Sequence, residues 1–185
     1  MKKRGFTLIE LLVVIAIISL LSSIILASLS QARQKSIVSA TNSAVLQYRN
    51  AIELYALDHG NLYPWPGSLI SKYCLGTYTG YTLGRCGNSF GSATVSVLLS
   101  DTNTGLAKYI SGFPPTNNTP FNFSGAVTWL GTVYTCNIGD VNGCQKATVE
   151  WYLPGTNQSC VGGPAASSDY NGQGKSTQCL LTFGG

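Results

Sequence analysis

Six cysteines, one histidine and one carboxylate inside an apolar run are the residues of this chain whose types and spacing could do chemistry. The cysteines are Cys74, Cys86, Cys136, Cys144, Cys160 and Cys179. Metal ligation and disulfide formation are the two chemistries open to them. No CxxC pair is present and His59 is the only histidine, so zinc-site spacing is missing. An even cysteine count in a domain outside the cytosol fits disulfides. Short loops between turn-rich segments favour neighbouring pairs: Cys74–Cys86, Cys136–Cys144 and Cys160–Cys179. One histidine and seven acidic residues give no convincing triad or carboxylate pair. No catalytic residue, resident metal or cofactor is expected, and the chain reads as a non-enzyme. Asp140 and Asn142 are spaced like the start of a calcium loop but lack its later glutamate. Asp140, Asp169 and Asn171 are the residues a calorimetric calcium titration would test. His59 reads as a turn residue. Asn117, Asn122 and Asn157 stand in N-x-S/T patterns that an Asn/Ser/Thr-rich chain produces by coincidence.

The carboxylate is Glu10. Lys2, Lys3 and Arg4 precede Gly5, and Phe6–Leu29 then runs for 24 residues with Glu10 as its one charge. About 20 apolar residues cross a bilayer core. The cationic flank should stay cytoplasmic, which sends the remainder outward. An ordinary secretory signal has a shorter apolar core. A plain anchor gives no reason for a carboxylate, which costs on the order of 3 kcal/mol in a membrane by insertion scales.

The run Lys2-Lys3-Arg4-Gly5-Phe6-Thr7-Leu8-Ile9-Glu10, ahead of so long an apolar segment, resembles the start of a prepilin of the type IV pilin and type II secretion pseudopilin superfamily. The resemblance implies cutting between Gly5 and Phe6 by an inner-membrane prepilin peptidase, with N-methylation of Phe6. It also implies that Glu10 pairs with the amine of a neighbouring subunit during assembly. Removing one partner of a buried ion pair typically costs about 3–5 kcal/mol, so Glu10 would set register. The sequence departs from the family in two places. Ala27 stands where many major pilins have a helix-disrupting proline, and Ser19 where a glycine is often found. Ser19, Ser23 and Ala27 form a small-xxx-small row that would let helices approach closely.

Charge gives no support for a nucleic-acid partner. The formal net charge is +4, but without Lys2, Lys3 and Arg4 the rest is nearly neutral. No basic face argues for direct nucleic acid binding. Charged residues are 10%, and the 21 glycines suit a turn-rich β domain.

The elements follow from pattern. Gln31–Asp58 contains no Pro or Gly. Ile37, Thr41, Ala44, Tyr48, Ile52 and Tyr55 recur at helical steps, with Arg33, Lys35, Arg49 and Glu53 off that row. One helix should run from about Phe6 to Asp58, on the order of 80 Å. Gly60 should end it, and Pro64 and Pro66 prevent resumption. Asp58-His59-Gly60-Asn61 with Tyr63-Pro64, and Lys108–Pro114, resemble turns of small pilins and pseudopilins. A weak helix is expected over 93–110. Strands are expected over 126–136, 147–153 and 178–183, with a hairpin turn at Asp140–Gly143. Residues 155–176 should form a loop held by Cys160–Cys179.

The expected fold is α+β and pilin-like: a long N-terminal helix, half transmembrane, packed against a small antiparallel sheet. The expected parts are a leader (1–5), a transmembrane and filament-core helix (6–30), its amphipathic half (31–60) and a disulfide-rich head (61–185). The expected function is a filament subunit serving adhesion, motility or DNA uptake. Its partners would be copies of itself or other pilins, the prepilin peptidase, the membrane before assembly, and inner-membrane assembly machinery. It would be single-pass in the inner membrane with its head outside the cytoplasm, then in a surface pilus or periplasmic filament. The alternatives are a type II secretion pseudopilin and a membrane-tethered binding module that never polymerises.

Overall fold

The computed structural model of the protein describes residues 6–67, 69, 72–75, 87–88, 96–97, 105–110, 121–123, 127–129, 132–162, 165–167 and 176–184. The chain forms two compact units, Met1–Ser36 and Ile37–Gly185.

Helix α1 is Leu8–Asp58, 51 residues without a glycine or proline. In the first unit its described side chains are exposed apart from half-buried Gln34, and the most apolar window, long enough to cross a membrane, is 0% buried. Two serines that interrupt the apolar surface bond within the helix. Ser19 Oγ donates to the Ile15 carbonyl at 2.7 Å and Ser23 Oγ to the Leu20 carbonyl at 2.8 Å. Both hydroxyls are thus satisfied locally, as an apolar surround requires.

In the second unit the same helix has one buried face. Ala44, Val45, Tyr48, Ala51, Ile52 and Ala56 are buried, with Val38 and Tyr55 partly so. The expected row of Ala44, Tyr48 and Ile52 lies in this stripe. Val45, Ala51 and Ala56 widen it, because a helix against a sheet buries more than one row. Helix α1 closes on a Schellman turn. Gly60 and Asn61 take left-handed φ of 66° and 65°, and Asn61 N–H donates to the Ala56 carbonyl at 2.7 Å.

The sheet that receives the helix contains β1 (Lys72–Leu75), β3 (Ser96–Val97), β6 (Thr132–Asp140), β7 (Gly143–Pro154), β8 (Ala165–Ser167) and β9 (Ser176–Phe183). Its order is β3-β1-β6-β7-β9-β8, and every pairing is antiparallel except β1 with β3. A second sheet, order β2-β5-β4, holds β2 (Gly87–Asn88), β4 (Phe121–Phe123) and β5 (Val127–Trp129). The fold is α+β and pilin-like.

Three expectations are corrected. The stretch 126–136 is not one strand, since β5 and β6 belong to different sheets. A continuous helix over 93–110 is ruled out by its described residues, 96–97 and 105–110. Ser96–Val97 pairs with β1, and Gly105, at φ 71°, opens only a single 3₁₀ turn, Leu106–Lys108. Residues 155–176 are not all loop, because Ala165–Ser167 pairs with β9 as an edge strand.

Strand β7 alternates as its sequence predicts. Ala147, Val149, Trp151 and Leu153 join the core shared with α1. Glu150 and Tyr152, on the opposite face, are buried too. The Tyr152 hydroxyl donates to the Glu150 carboxylate, and Gln178 Nε2 donates to it at 2.7 Å. Asn42 fixes the helix on the sheet. Its Oδ1 accepts from Trp151 Nε1 at 3.2 Å, and its Nδ2 donates to the Ser159 carbonyl at 2.9 Å.

Two disulfides have both partners among the described residues, Cys136–Cys144 inside the β6–β7 hairpin and Cys160–Cys179 between the 155–162 turn and β9. Bridges of this kind typically contribute about 2–4 kcal/mol each. Cys74 is buried and disulfide-bonded. Cys86 lies outside the described residues. Gly139 is required at the hairpin: a Cβ there would lie 2.5 Å from the Gly143 carbonyl oxygen and 3.2 Å from Cys136 Sγ. The chain leaving α1 is bound to the same hairpin through reciprocal Tyr63–Cys144 backbone bonds of 2.7 and 2.9 Å.

Two buried tyrosines make a matched test. Burial pushes both phenols above their ordinary range. The Tyr134 hydroxyl donates to the Pro64 carbonyl at 2.8 Å, whereas the Tyr48 hydroxyl has no partner among the described residues. Tyr134→Phe should therefore destabilise by about 1–2 kcal/mol, and Tyr48→Phe should be neutral or stabilising. Thermal unfolding of the two variants checks this, and equal losses would contradict it.

A second test concerns the end of α1. Tyr109 Oη donates to Asp58 at 2.6 Å, Lys108 Nζ lies 3.6 Å from the same carboxylate, and Tyr55 packs edge-on to Tyr109. The Tyr109 hydrogen bond, and secondarily Lys108, hold the Asp58 carboxyl below the usual range. The same bond pushes Tyr109 up to about 12. A lowered carboxyl stabilises above its ordinary pKa and loses that contribution as pH falls through the folded value. A raised phenol stabilises below its ordinary pKa and loses that contribution as pH rises through the folded value. Tyr109→Phe should therefore destabilise by a constant amount at mid-range pH, and the difference should close toward acid and again near pH 12. Denaturation midpoints across pH measure it, and a pH-independent difference would refute the latch.

Candidate functional site at the N-terminus of helix α1

The site is the first turn of α1. Leu8 begins the helix, which makes Thr7 its N-cap and Glu10 its third residue. Four backbone N–H groups at such an end have no partner within the helix. In an apolar segment they must be met by side chains. Glu10 N–H donates to Thr7 Oγ1 at 3.3 Å, and Thr7 N–H donates to Glu10 Oε2 at 2.8 Å. This is a reciprocal capping box. The Thr7 hydroxyl also donates to Glu10 Oε2 at 2.7 Å. Leu11 N–H reaches the Thr7 carbonyl at 3.3 Å. The positive end of the helix dipole further favours a carboxylate here.

The arrangement leaves Glu10 half used. Oε2 accepts both Thr7 donors, and Oε1 accepts none among the described residues. An ionised carboxylate has about four acceptor sites. A positive group could therefore bind Oε1 while the cap persists. Phe6, adjacent to the cap, is 78% exposed. Gly5 lies outside the described residues, as do the charged residues 2–4.

Thr7 is the functional residue that sequence reasoning passed over. Its signal was present, because Thr7-x-x-Glu10 ahead of an apolar run is the capping-box pattern. The small-xxx-small row is partly described: Ser19 and Ser23 bond to their own helix, and the side chain of Ala27 is outside the described set.

The other candidates do not gather into a site. Asp140 Oδ1 accepts from Asn142 N–H at 2.8 Å within the hairpin turn, and Asp169 and Asn171 lie outside the described residues. No group of three or more metal-ligating side chains occurs among the described residues. His59 stacks on Tyr55 at 3.8 Å, and its Nδ1 lies 2.8 Å from the Tyr55 carbonyl, at the helix end. Asn157 sits at φ 55° in an exposed turn, and Asn122 lies in β4. Asn117 is outside the described residues.

Residues 1–26 match the prokaryotic N-terminal methylation motif. Over 61 residues, 33% of its length, the chain is 46% identical to the prepilin peptidase-dependent protein D of Escherichia coli K12. Over 58 residues, 31% of its length, it is 38% identical to the type II secretion system core protein G of the same bacterium. These matches span 42% and 40% of the two relatives. No solved structure matches the chain.

Thr7→Ala in the full chain should speed amide exchange at Glu10 and Leu11 in detergent micelles, with about 1 kcal/mol of cap lost. Unchanged exchange there would show that the cap does not hold the helix start.

Proposed function

We propose that this chain, which carries a prepilin-type N-terminus and is of the pilin or pseudopilin type, is the precursor of a structural filament subunit. Residues 1–5 are the leader. A prepilin peptidase cuts between Gly5 and Phe6 and methylates Phe6. The peptide N–H of Phe6 then becomes an amine, one turn from a carboxylate with an open oxygen. The subunit waits in the inner membrane through residues 6–30, with its head outside the cytoplasm, and assembly machinery moves it into the filament. Glu10 then accepts the amine of a neighbouring copy. The observation that carries this reading is the Thr7–Glu10 cap, which keeps a charged carboxylate satisfied in an apolar helix and leaves Oε1 available.

The finer reading is a surface pilus of the type IV class, serving adhesion, motility or DNA uptake. A disulfide-stapled head with a turn-rich sequence suits exposure at the cell surface. The second reading is a type II secretion pseudopilin, favoured by the 38% identity to the core protein G. A membrane-tethered module that never polymerises is the third.

Electron microscopy of sheared surface fractions, together with a secretion assay on a deletion strain, separates them. Long filaments containing this chain are expected for the pilus. Secretion loss without such filaments would favour the pseudopilin. Neither would leave the tethered module. In the same strain Glu10→Ala should yield a cut, membrane-bound chain with few or no filaments, and normal filaments from it would overturn the assembly role.

A further inference from the structure

Arg33 and Lys35 are cations without a local partner. Both are exposed, about one and about one and a half to two turns beyond the exposed apolar run that ends at Leu29. No acidic residue occurs between Glu10 and Glu53. Among the described residues, no ion pair or hydrogen bond engages either side chain. The described carboxylates are all occupied elsewhere: Glu10 by Thr7, Glu53 by Arg49, Asp58 by Tyr109 and Lys108, Asp140 by Asn142, and Glu150 by Tyr152 and Gln178. Each of these carboxylates already accepts at least one donor, and the open Oε1 of Glu10 is the oxygen proposed above for the amine of a neighbouring copy.

Two cations just outside the translocated end of a span oppose the positive-inside preference. The helical rise shows what they meet. From Phe6 to Arg33 the chain advances about 40 Å at 1.5 Å per residue. A bilayer with both headgroup layers is about 40–45 Å thick. When the Phe6 end lies at the inner headgroups, Arg33 and Lys35 lie at the outer ones. Their long aliphatic stems allow both charged ends to reach that layer, although the residues point to different sides of the helix.

We infer that Arg33 and Lys35 form a phosphate-binding collar that holds α1 to anionic lipid headgroups of the leaflet facing the head. This rests on the proposed membrane-spanning reading. The collar and the leader cations clamp the two ends of one span. Cutting after Gly5 removes three cations from the inner end and leaves an amine that Glu10 balances. The outer collar is untouched. Cleavage thus shifts the grip on the membrane from the cytoplasmic end to the head end, the end toward which a subunit would leave.

The test is hydrogen-exchange mass spectrometry of the full chain in nanodiscs of phosphatidylcholine alone or with 30% phosphatidylglycerol, on the order of natural anionic content. Arg33→Gln/Lys35→Gln, both on exposed positions, is the comparison. Wild-type amides over 30–36 should exchange more slowly in the anionic discs, by about fivefold per cation, and the double variant should lose that difference. Inorganic phosphate added to the neutral discs should give no protection. Equal exchange in both lipids, or in both proteins, overturns the collar. Protection that follows the number of chains per disc instead of lipid charge also overturns it and assigns the cations to a second copy. Protection of residues 8–26 in every disc reports the span itself. Its absence would refute the membrane reading and the collar together, whereas its presence without a lipid effect refutes the collar alone.

Discussion

Large apolar side chains from Phe6 to Leu29 stand exposed along the start of the chain and α1. At about 25 cal/mol per Å² of apolar surface, leaving that stretch in water is heavily unfavourable. It has to be covered, and in the proposed function lipid covers it before assembly and other helices after it. Every polar group within the stretch is then constrained. Ser19 and Ser23 meet the constraint by donating to carbonyls of their own helix. Glu10 meets it through Thr7. The cap holds the Glu10 carboxylate by hydrogen bonds from the helix start itself and leaves Oε1 with no partner among the described residues.

The head unit answers a different constraint. Its part of α1 has to sit on the sheet in one register although the helix is otherwise regular. Asn42 supplies both a donor and an acceptor, to the Ser159 carbonyl and the Trp151 indole. The segment leaving α1 is pinned to the β6–β7 hairpin through Tyr63 and Cys144, and the hairpin is closed by Cys136–Cys144. The start of the 155–162 turn is tied to β9 through Thr177, whose hydroxyl accepts from Gln158 N–H and donates to the Gly155 carbonyl. These links are a disulfide and hydrogen bonds of 2.7–3.2 Å. They tie the helix, the hairpin and the 155–162 turn to one sheet.

Much of this was readable from residue types. A run free of glycine and proline, ended by Gly60, defined α1 to within two residues at its start. Helical spacing located Ala44, Tyr48 and Ile52 but missed Val45 and Ala51, because the width of a buried stripe depends on what packs against it. Alternation separated Trp151 from Glu150 without revealing that both faces of β7 are covered, a fact set by distant chain. Helix propensity over 93–110 was overruled by pairing of Ser96–Val97 with β1 and by the left-handed Gly105. At the site, Glu10 was conspicuous as a charge out of place. Thr7 escaped notice because the carboxylate was read only as a future ion-pair partner and not as the third residue of a helix needing a cap.

In the proposed function the chain works after losing its first five residues, with Glu10 facing a newly made amine. Intact-mass and N-terminal peptide analysis of the chain from sheared cell-surface and inner-membrane fractions tests it most directly. The account predicts a chain beginning at N-methylated Phe6 in the assembled fraction, with the leader retained only in a membrane-bound precursor. An assembled chain that still begins at Met1, or one cut at any other bond, would contradict it.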